Sequence, residues 1–217
     1  TEDAQNVVLI GGPGTGKTHL AIAMARSQQQ HLSFLHVNAA GLRSKYLGDT
    51  EKRIASVFRR ARSMAPCIIF LDHIDHLLVS REELNGDNQQ DQRIVTAFLV
   101  ELDGAVSKPG DVVVLAVATD IDAIDKAILR PGRLGHHILL DIPHSVEQIV
   151  LIVRTIIKQL GHELTDIDIN MIAKQCMGMS QAEIRGVILH AARRAIYHQR
   201  RPMPISDFTT NSIPAQP

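Results

Sequence analysis

The sequence predicts an α/β fold: a parallel sheet with helices on both faces, followed by a small all-helical domain. Three observations predict it. Short apolar runs such as Cys67-Ile-Ile-Phe-Leu-Asp72 and the Val-Val-Val-Leu-Ala-Val stretch inside 111–119 read as strands buried on both faces. Segments of helical spacing separate these runs, and strands alternating with helices imply right-handed crossovers in one parallel sheet. From Pro143 onward strand patterns stop and only helical spacing remains. The expected division is therefore 1–142 for the α/β domain, 143–203 for the helical domain and 204–217 for a Pro-rich, polar, loosely held tail.

In chain order, 6–10 (Asn-Val-Val-Leu-Ile) is the first strand, and 17–28, rich in alanine and long apolar residues, is the first helix. Residues 33–38 form a second strand, followed by a loop over 39–49 with Gly41 and Gly48. Thr50 is the expected N-cap of the next helix, with Glu51 favourable in its first turn. Ile54, Val57, Phe58 and Ala61 form its apolar face, and Pro66 ends it. Strand 67–72 follows, then a polar loop over 81–90, a helix over 91–102, strand 111–119 and a shorter strand over 138–141. In the helical domain, Ile149, Ile152, Val153, Ile156 and Leu160 mark one helix, 169–175 a short one, and 180–197 a third.

Between the first strand and helix lies Gly11-Gly-Pro-Gly-Thr-Gly-Lys-Thr18, which fits the phosphate-loop pattern G-x-x-x-x-G-K-[ST] at every fixed position. The glycines let backbone N–H groups curl around a phosphate, Pro13 stiffens the curl, and the helix N-terminus adds partial positive charge. Lys17 would reach the β- and γ-phosphates, and the Thr18 hydroxyl would ligate Mg²⁺. Gly11, Gly12, Pro13, Gly14, Thr15, Gly16, Lys17 and Thr18 are the candidate nucleotide-binding residues. A glycine-rich turn without a ligand is the alternative, but the strand–loop–helix context argues against it.

Ligands of such sheets lie at the carboxyl ends of the strands, so Ile10, Asp72 and Thr119-Asp120 should converge. Asp72 closes an apolar strand and is the candidate for orienting Mg²⁺ and its waters; a capping aspartate is the plainer alternative. The next residue in hydrolytic enzymes of this kind is a glutamate that polarises the attacking water. Here it is His73, whose imidazole can accept a proton from a different position. His73, Asp75 and His76 do not have the spacing of a zinc framework.

Bulk composition narrows the remaining classes. Lys plus Arg and Asp plus Glu balance at 23 each, so no overall field favours nucleic acid or an anionic membrane. No run of about 18 apolar residues could span a bilayer. Cys67 and Cys176 lie in apolar contexts, which suits free buried thiols and a reducing intracellular compartment. The sequence starts almost directly on a core strand, as expected of a module within a longer protein.

Taken together, the motifs resemble an AAA-type ATPase module over nearly the whole chain. Gly12-Pro-Gly-Thr-Gly-Lys-Thr18 resembles the Walker A segment, and Cys67-Ile-Ile-Phe-Leu-Asp72 resembles Walker B. Leu102-Asp-Gly104, 112–120 and 125–133 are similar to the second region of homology, with Ala127-Ile-Leu-Arg-Pro-Gly-Arg-Leu134 its most specific part. Ser44-Lys-Tyr-Leu-Gly-Asp-Thr-Glu51 is similar to the central-pore segment, and Gly178-Met-Ser-Gln-Ala-Glu183 to the sensor-2 region of the AAA lid domain. The tandem-module branch, with valosin-containing protein, its nuclear relative and the peroxisomal AAA peroxins, is the nearest in flavour.

The resemblance implies a P-loop NTPase fold, ATP and Mg²⁺, a homo- or hetero-hexameric ring, and a protein substrate drawn through a central pore, with adaptors bound outside this chain. It implies that Arg130 and Arg133 are arginine fingers reaching the neighbouring subunit's ATP; surface salt-bridge arginines are the alternative. Tyr46, with Leu47, would be the pore-loop grip, against the alternative of a core tyrosine. Asp120 stands where the family has the sensor-1 asparagine, and an ionised aspartate cannot donate a hydrogen bond. With His73 for glutamate and Gln181 for the usual lid glycine, three departures alter the water-activating parts and leave the phosphate cradle intact. The expectation is an ATP-binding remodelling module with weak hydrolysis at its own site. The alternative is a catalytically inactive scaffold or regulatory subunit lending arginines to an active neighbour; a nucleic-acid-remodelling ATPase fits less well.

Overall fold

Val7–Ile10 (β1), Ser33–Asn38 (β2), Cys67–Asp72 (β3), Val112–Ala118 (β4) and His136–Leu139 (β5) form one parallel sheet in the order β2-β3-β4-β1-β5. The computed structural model describes residues 6–28, 32–80, 89–106, 111–161 and 166–197. The register pairs Asn38 with Asp72 and Ile10 with both Ala118 and Leu139, so the carboxyl ends of the strands lie level along one rim.

The alternation of strand side chains separates two apolar layers. On one face, Val8, Ile69 and Val114 pack with Ile54 and Phe58 of Asp49–Ser63 (α2) and with Phe98 of Gln89–Val106 (α3). Phe58 and Phe98 meet edge to face, 5.6 Å between centroids. Each is about 1% exposed, worth roughly 1.5–3 kcal/mol of burial. On the other face, Leu9, Phe70, Leu115 and Val117 pack with Ala21 of Lys17–Gln28 (α1). The sheet is thus covered on both sides, as the continuous apolar strands require.

Several boundaries differ from the sequence reading. Thr50 is not a cap: α2 begins at Asp49 behind Gly48, whose φ of 77° fits a glycine. Thr50 is fully buried, and its hydroxyl accepts from the Ser44 N–H at 2.9 Å, which removes it from capping duty. The last strand lies two residues earlier than 138–141 because β1 sets its register; all four of its residues are exposed at the sheet edge, so hydrophobicity gave a poor guide to its start. α3 is longer than 91–102, beginning at Gln89 and ending at Val106. The remainder of the expected polar loop, 81–88, the last residues of the expected helical domain, 198–203, and the expected tail over 204–217 lie outside the described residues.

The chain divides into two compact units, one running through Gly12 and resuming at Lys17–Leu140, the other holding Pro13–Gly16 and the chain from Asp141 on. The second unit contains Val146–Gln159 (α4), Asp166–Gln175 (α5) and Gln181–Tyr197 (α6), packed through Ile149, Val153, Ile172, Cys176, Ile184 and Ile188. Reciprocal capping boxes start two of them: Ser145 with Gln148 before α4, and Ser180 with Glu183 before α6. Cys67 and Cys176 are free and buried, and burial pushes both thiols up. No described helix is long and apolar enough to cross a membrane.

Candidate functional site

The loop over 11–18 leaves the carboxyl end of β1 and runs into α1 at Lys17. Gly14 and Gly16 take φ of 77° and 94°, conformations that side chains resist, so the curl depends on them. A Cβ on Gly16 would collide with the Gln181 side-chain amide, and the Ala182 N–H donates to the Gly14 carbonyl at 3.1 Å, both within the second unit. Lys17 is buried, and its Nζ donates to the carbonyls of Gly11 at 2.6 Å and Gly12 at 2.8 Å. Burial pulls its pKa below the ordinary lysine value, while the charges of Asp75 and then Asp72 act the other way. The ammonium is therefore poised between loop carbonyls and two carboxylates.

Thr18 Oγ1 donates to Asp72 Oδ2 at 3.2 Å, with Oδ1 at 3.4 Å. Both donors are hard oxygens, and two oxygens on adjacent vertices of a Mg²⁺ octahedron lie about 3 Å apart, so this pair fits the ion. Asp75, on the turn Ile74–His76, was not among the expected site residues. Its Oδ2 accepts from the Thr119 N–H at 2.8 Å and the Asp120 N–H at 3.4 Å, which ties the end of β4 to the turn after β3. Its Oδ1 is buried with no hydrogen-bond partner among the described residues. The signal for it was a carboxylate flanked by Ile74, Leu77 and Leu78, all fully buried.

His73 leaves β3 with φ of 59°, the one positive φ among the described residues other than glycine. Such a conformation costs about 1–2 kcal/mol. Its Nδ1 lies 3.2 Å from Asp72 Oδ1, and its half-exposed ring stacks on His76 at 6.0 Å between centroids. Asp120 is exposed, and its Oδ1 accepts from the Asp122 N–H at 2.9 Å. Among the described residues no group of three or more His, Cys, Asp or Glu is placed to hold a metal.

The other expected residues lie on separate loops of the same unit. Tyr46 and Leu47 are 66% and 71% exposed, which rules out a core tyrosine. Arg43, just before them, donates to the His76 carbonyl at 2.9 Å and pairs with buried Asp91 of α3, linking this loop to the turn after Asp72. Arg130 is exposed. Arg133 forks onto Asp103 of α3 through Nε and Nη2 at 2.7 and 2.8 Å. This bidentate hydrogen bond, with the nearby carboxylate charge, holds its pKa up.

Residues 7–142 match the family model described as "ATPase family associated with various cellular activities (AAA)". The chain belongs to the AAA family. Similar proteins include the Cell division cycle protein 48 homolog of Archaeoglobus fulgidus, 38% identical over 91% of this chain and 26% of that protein. A Proteasome-activating nucleotidase of Methanococcus maripaludis is 35% identical over 94% of this chain and 49% of its own length. Protein CdcH of Halobacterium salinarum is 33% identical over 98% and 27%. The AAA module thus spans a quarter to a half of the length of these relatives, and its likeness is to the Cdc48-like branch.

Proposed function

We propose that this AAA module binds ATP with Mg²⁺, works in a hexameric ring, and couples its nucleotide state to movement of a polypeptide substrate, with slow hydrolysis at its own site. The carrying observation is the convergence of Lys17, Thr18 and Asp72 at one rim of the sheet, joined through the Thr18–Asp72 hydrogen bond. Lys17 neutralises the phosphates, and Thr18 and Asp72 hold the ion, which shields phosphate charge when bound. The Arg43 link between the Tyr46 loop and the turn after Asp72 supports the coupling.

Slow turnover follows from the neighbours of Asp72. Hydrolysis requires a group to take the proton of the attacking water. His73 stands in that place, but its Nδ1 faces Asp72 and its ring is held against His76. Asp120 accepts locally from Asp122 and, when ionised, has no proton to donate to a phosphate oxygen. The same arrangement favours the second reading, a regulatory ring subunit that binds ATP and lends an arginine to an active neighbour.

Phosphate release by the full-length protein in its native assembly tests both, with any companion ATPase module blocked. Slow release in the wild type, a gain in His73→Glu and loss of ATP binding in Lys17→Ala are expected. Rapid wild-type release that Lys17→Ala abolishes would overturn the assignment of slow turnover. Wild-type binding of ATP that ignores Lys17 would overturn the site itself.

A further inference from the structure

The turn Ile74–His76 stands between two segments that are distant in sequence. On one side the Asp75 carboxylate holds the N–H groups of Thr119 and Asp120, where β4 ends. On the other the His76 carbonyl accepts from Arg43 Nη1 at 2.9 Å. The second arm of the same guanidinium, Nη2, pairs with Asp91 in the first turn of α3. The Asp91 side chain is only 3% exposed, that of Arg43 41%. A carboxylate so buried needs its cation, so the Asp91 arm is the firm one. The carbonyl arm is the weaker, and at 2.9 Å it is lost once the turn moves by less than about 1 Å.

Arg43 lies at the root of the segment that carries Tyr46 and Leu47. The Ala39 N–H donates to the Asp72 carbonyl at 2.9 Å, and Gln90 Nε2 of α3 donates to the Ser44 carbonyl at 3.3 Å. The Ser44 N–H donates to Thr50 Oγ1 at 2.9 Å. Beyond Ser44, Lys45, Tyr46 and Leu47 are exposed. The segment is thus fixed at its root and open at its tip, and Arg43 is where the root meets the turn after Asp72. Coupling needs an element with two arrangements, and a bond from Arg43 to His76 that is made or broken supplies one.

We propose that Arg43 is a positioning residue that carries the state of the nucleotide site to the Tyr46 tip. Asp91 anchors the guanidinium. The His76 carbonyl, moved through Asp75 when the end of β4 shifts, sets where the root stands. This rests on the reading above that the module couples nucleotide state to a polypeptide, and it names the residues that do so.

The test uses the full-length protein in its native assembly, with fluorescein-labelled casein as an unstructured polypeptide. Casein affinity is measured with ATP·Mg²⁺ and with ADP·Mg²⁺, and hydrogen–deuterium exchange is followed over 39–49. In the wild type the two affinities should differ about 10-fold, and exchange should differ between the nucleotides. Removing one partner of the pair leaves a buried charge, whereas an apolar pair can keep the fold, so Arg43→Leu is combined with Asp91→Leu. This double replacement should bring the affinity ratio to about 1 and make exchange the same with either nucleotide, with ATP affinity unchanged. Asp75→Ala should also shrink the ratio, and adding it to the double replacement should change nothing further. Tyr46→Ala should weaken casein with both nucleotides alike. If the double replacement does not assemble, Asp91→Asn carries the comparison, with a ratio reduced about threefold. A wild-type ratio and exchange difference in the Arg43 and Asp91 variants, while Tyr46→Ala weakens casein, would overturn the role of Arg43. Casein binding indifferent to Tyr46→Ala, or equal in the wild type with both nucleotides, would instead overturn the coupling itself, and the role of Arg43 with it.

Discussion

The half of the proposed site that would bind phosphate and the half that would activate water are built differently. Lys17 and Asp72 are buried, and Thr18 bonds directly to Asp72 across 54 residues of sequence. His73 and Asp120, by contrast, are exposed and engaged with their own near neighbours, Asp72 and Asp122. The Thr18–Asp72 hydrogen bond joins helix to strand and loop carbonyls hold Lys17, whereas the exposed side chains of His73 and Asp120 turn to partners one and two residues away. If the proposed function holds, binding and chemistry should therefore be separable in this module, each alterable without the other.

The largest effect expected is on binding. Lys17→Ala removes the one buried ammonium of the loop and should weaken ATP affinity on the order of 100-fold, measured by calorimetry on the full-length protein. An affinity near wild type would erase the contrast between the halves. Next comes His73→Glu, which supplies a carboxylate in place of an imidazole held to Asp72. Phosphate release should rise about 10- to 100-fold with ATP affinity little changed, and a fall in release would show that His73 already serves as the base.

Asp120→Asn should have a smaller effect, an increase of roughly 10-fold in preference for ATP over ADP, because the amide can donate to a phosphate oxygen where the carboxylate repels it. Competition binding measures it; an unchanged ratio would place Asp120 outside reach of the γ-phosphate. The smallest effect is in pH. Only protonated Lys17 attracts phosphate, and burial lowers its pKa from 10.5, so ATP affinity should decline with rising pH earlier than an ordinary lysine would allow. The charge of Asp75 opposes that shift, so Asp75→Asn should move the decline to still lower pH. A decline that moves upward in this variant would reverse the electrostatic account.

The sequence alone determined the features that depend on local pattern. The phosphate loop is contiguous, and its glycines and Lys17 are dictated by backbone geometry within a few residues. Strands β3 and β4 declared themselves because burial on both faces demands unbroken apolar runs. At β5 that logic failed, since an exposed edge strand carries no such demand and its register comes from β1. Thr50 misled because a hydroxyl caps a helix only when nothing closer claims it, and Ser44 does.

The tertiary structure decided the pairings between distant segments. Asp75 is three residues from Asp72, yet its partners are backbone amides 44 and 45 residues away. Arg130 and Arg133 are equivalent on paper; only folding brings Asp103 of α3 against one of them and leaves the other at the apex. Spacing in the chain fixes which residues share a turn or a helix face. Which charge meets which depends on how the sheet and helices pack, and that is where the contacts of the two arginines differ.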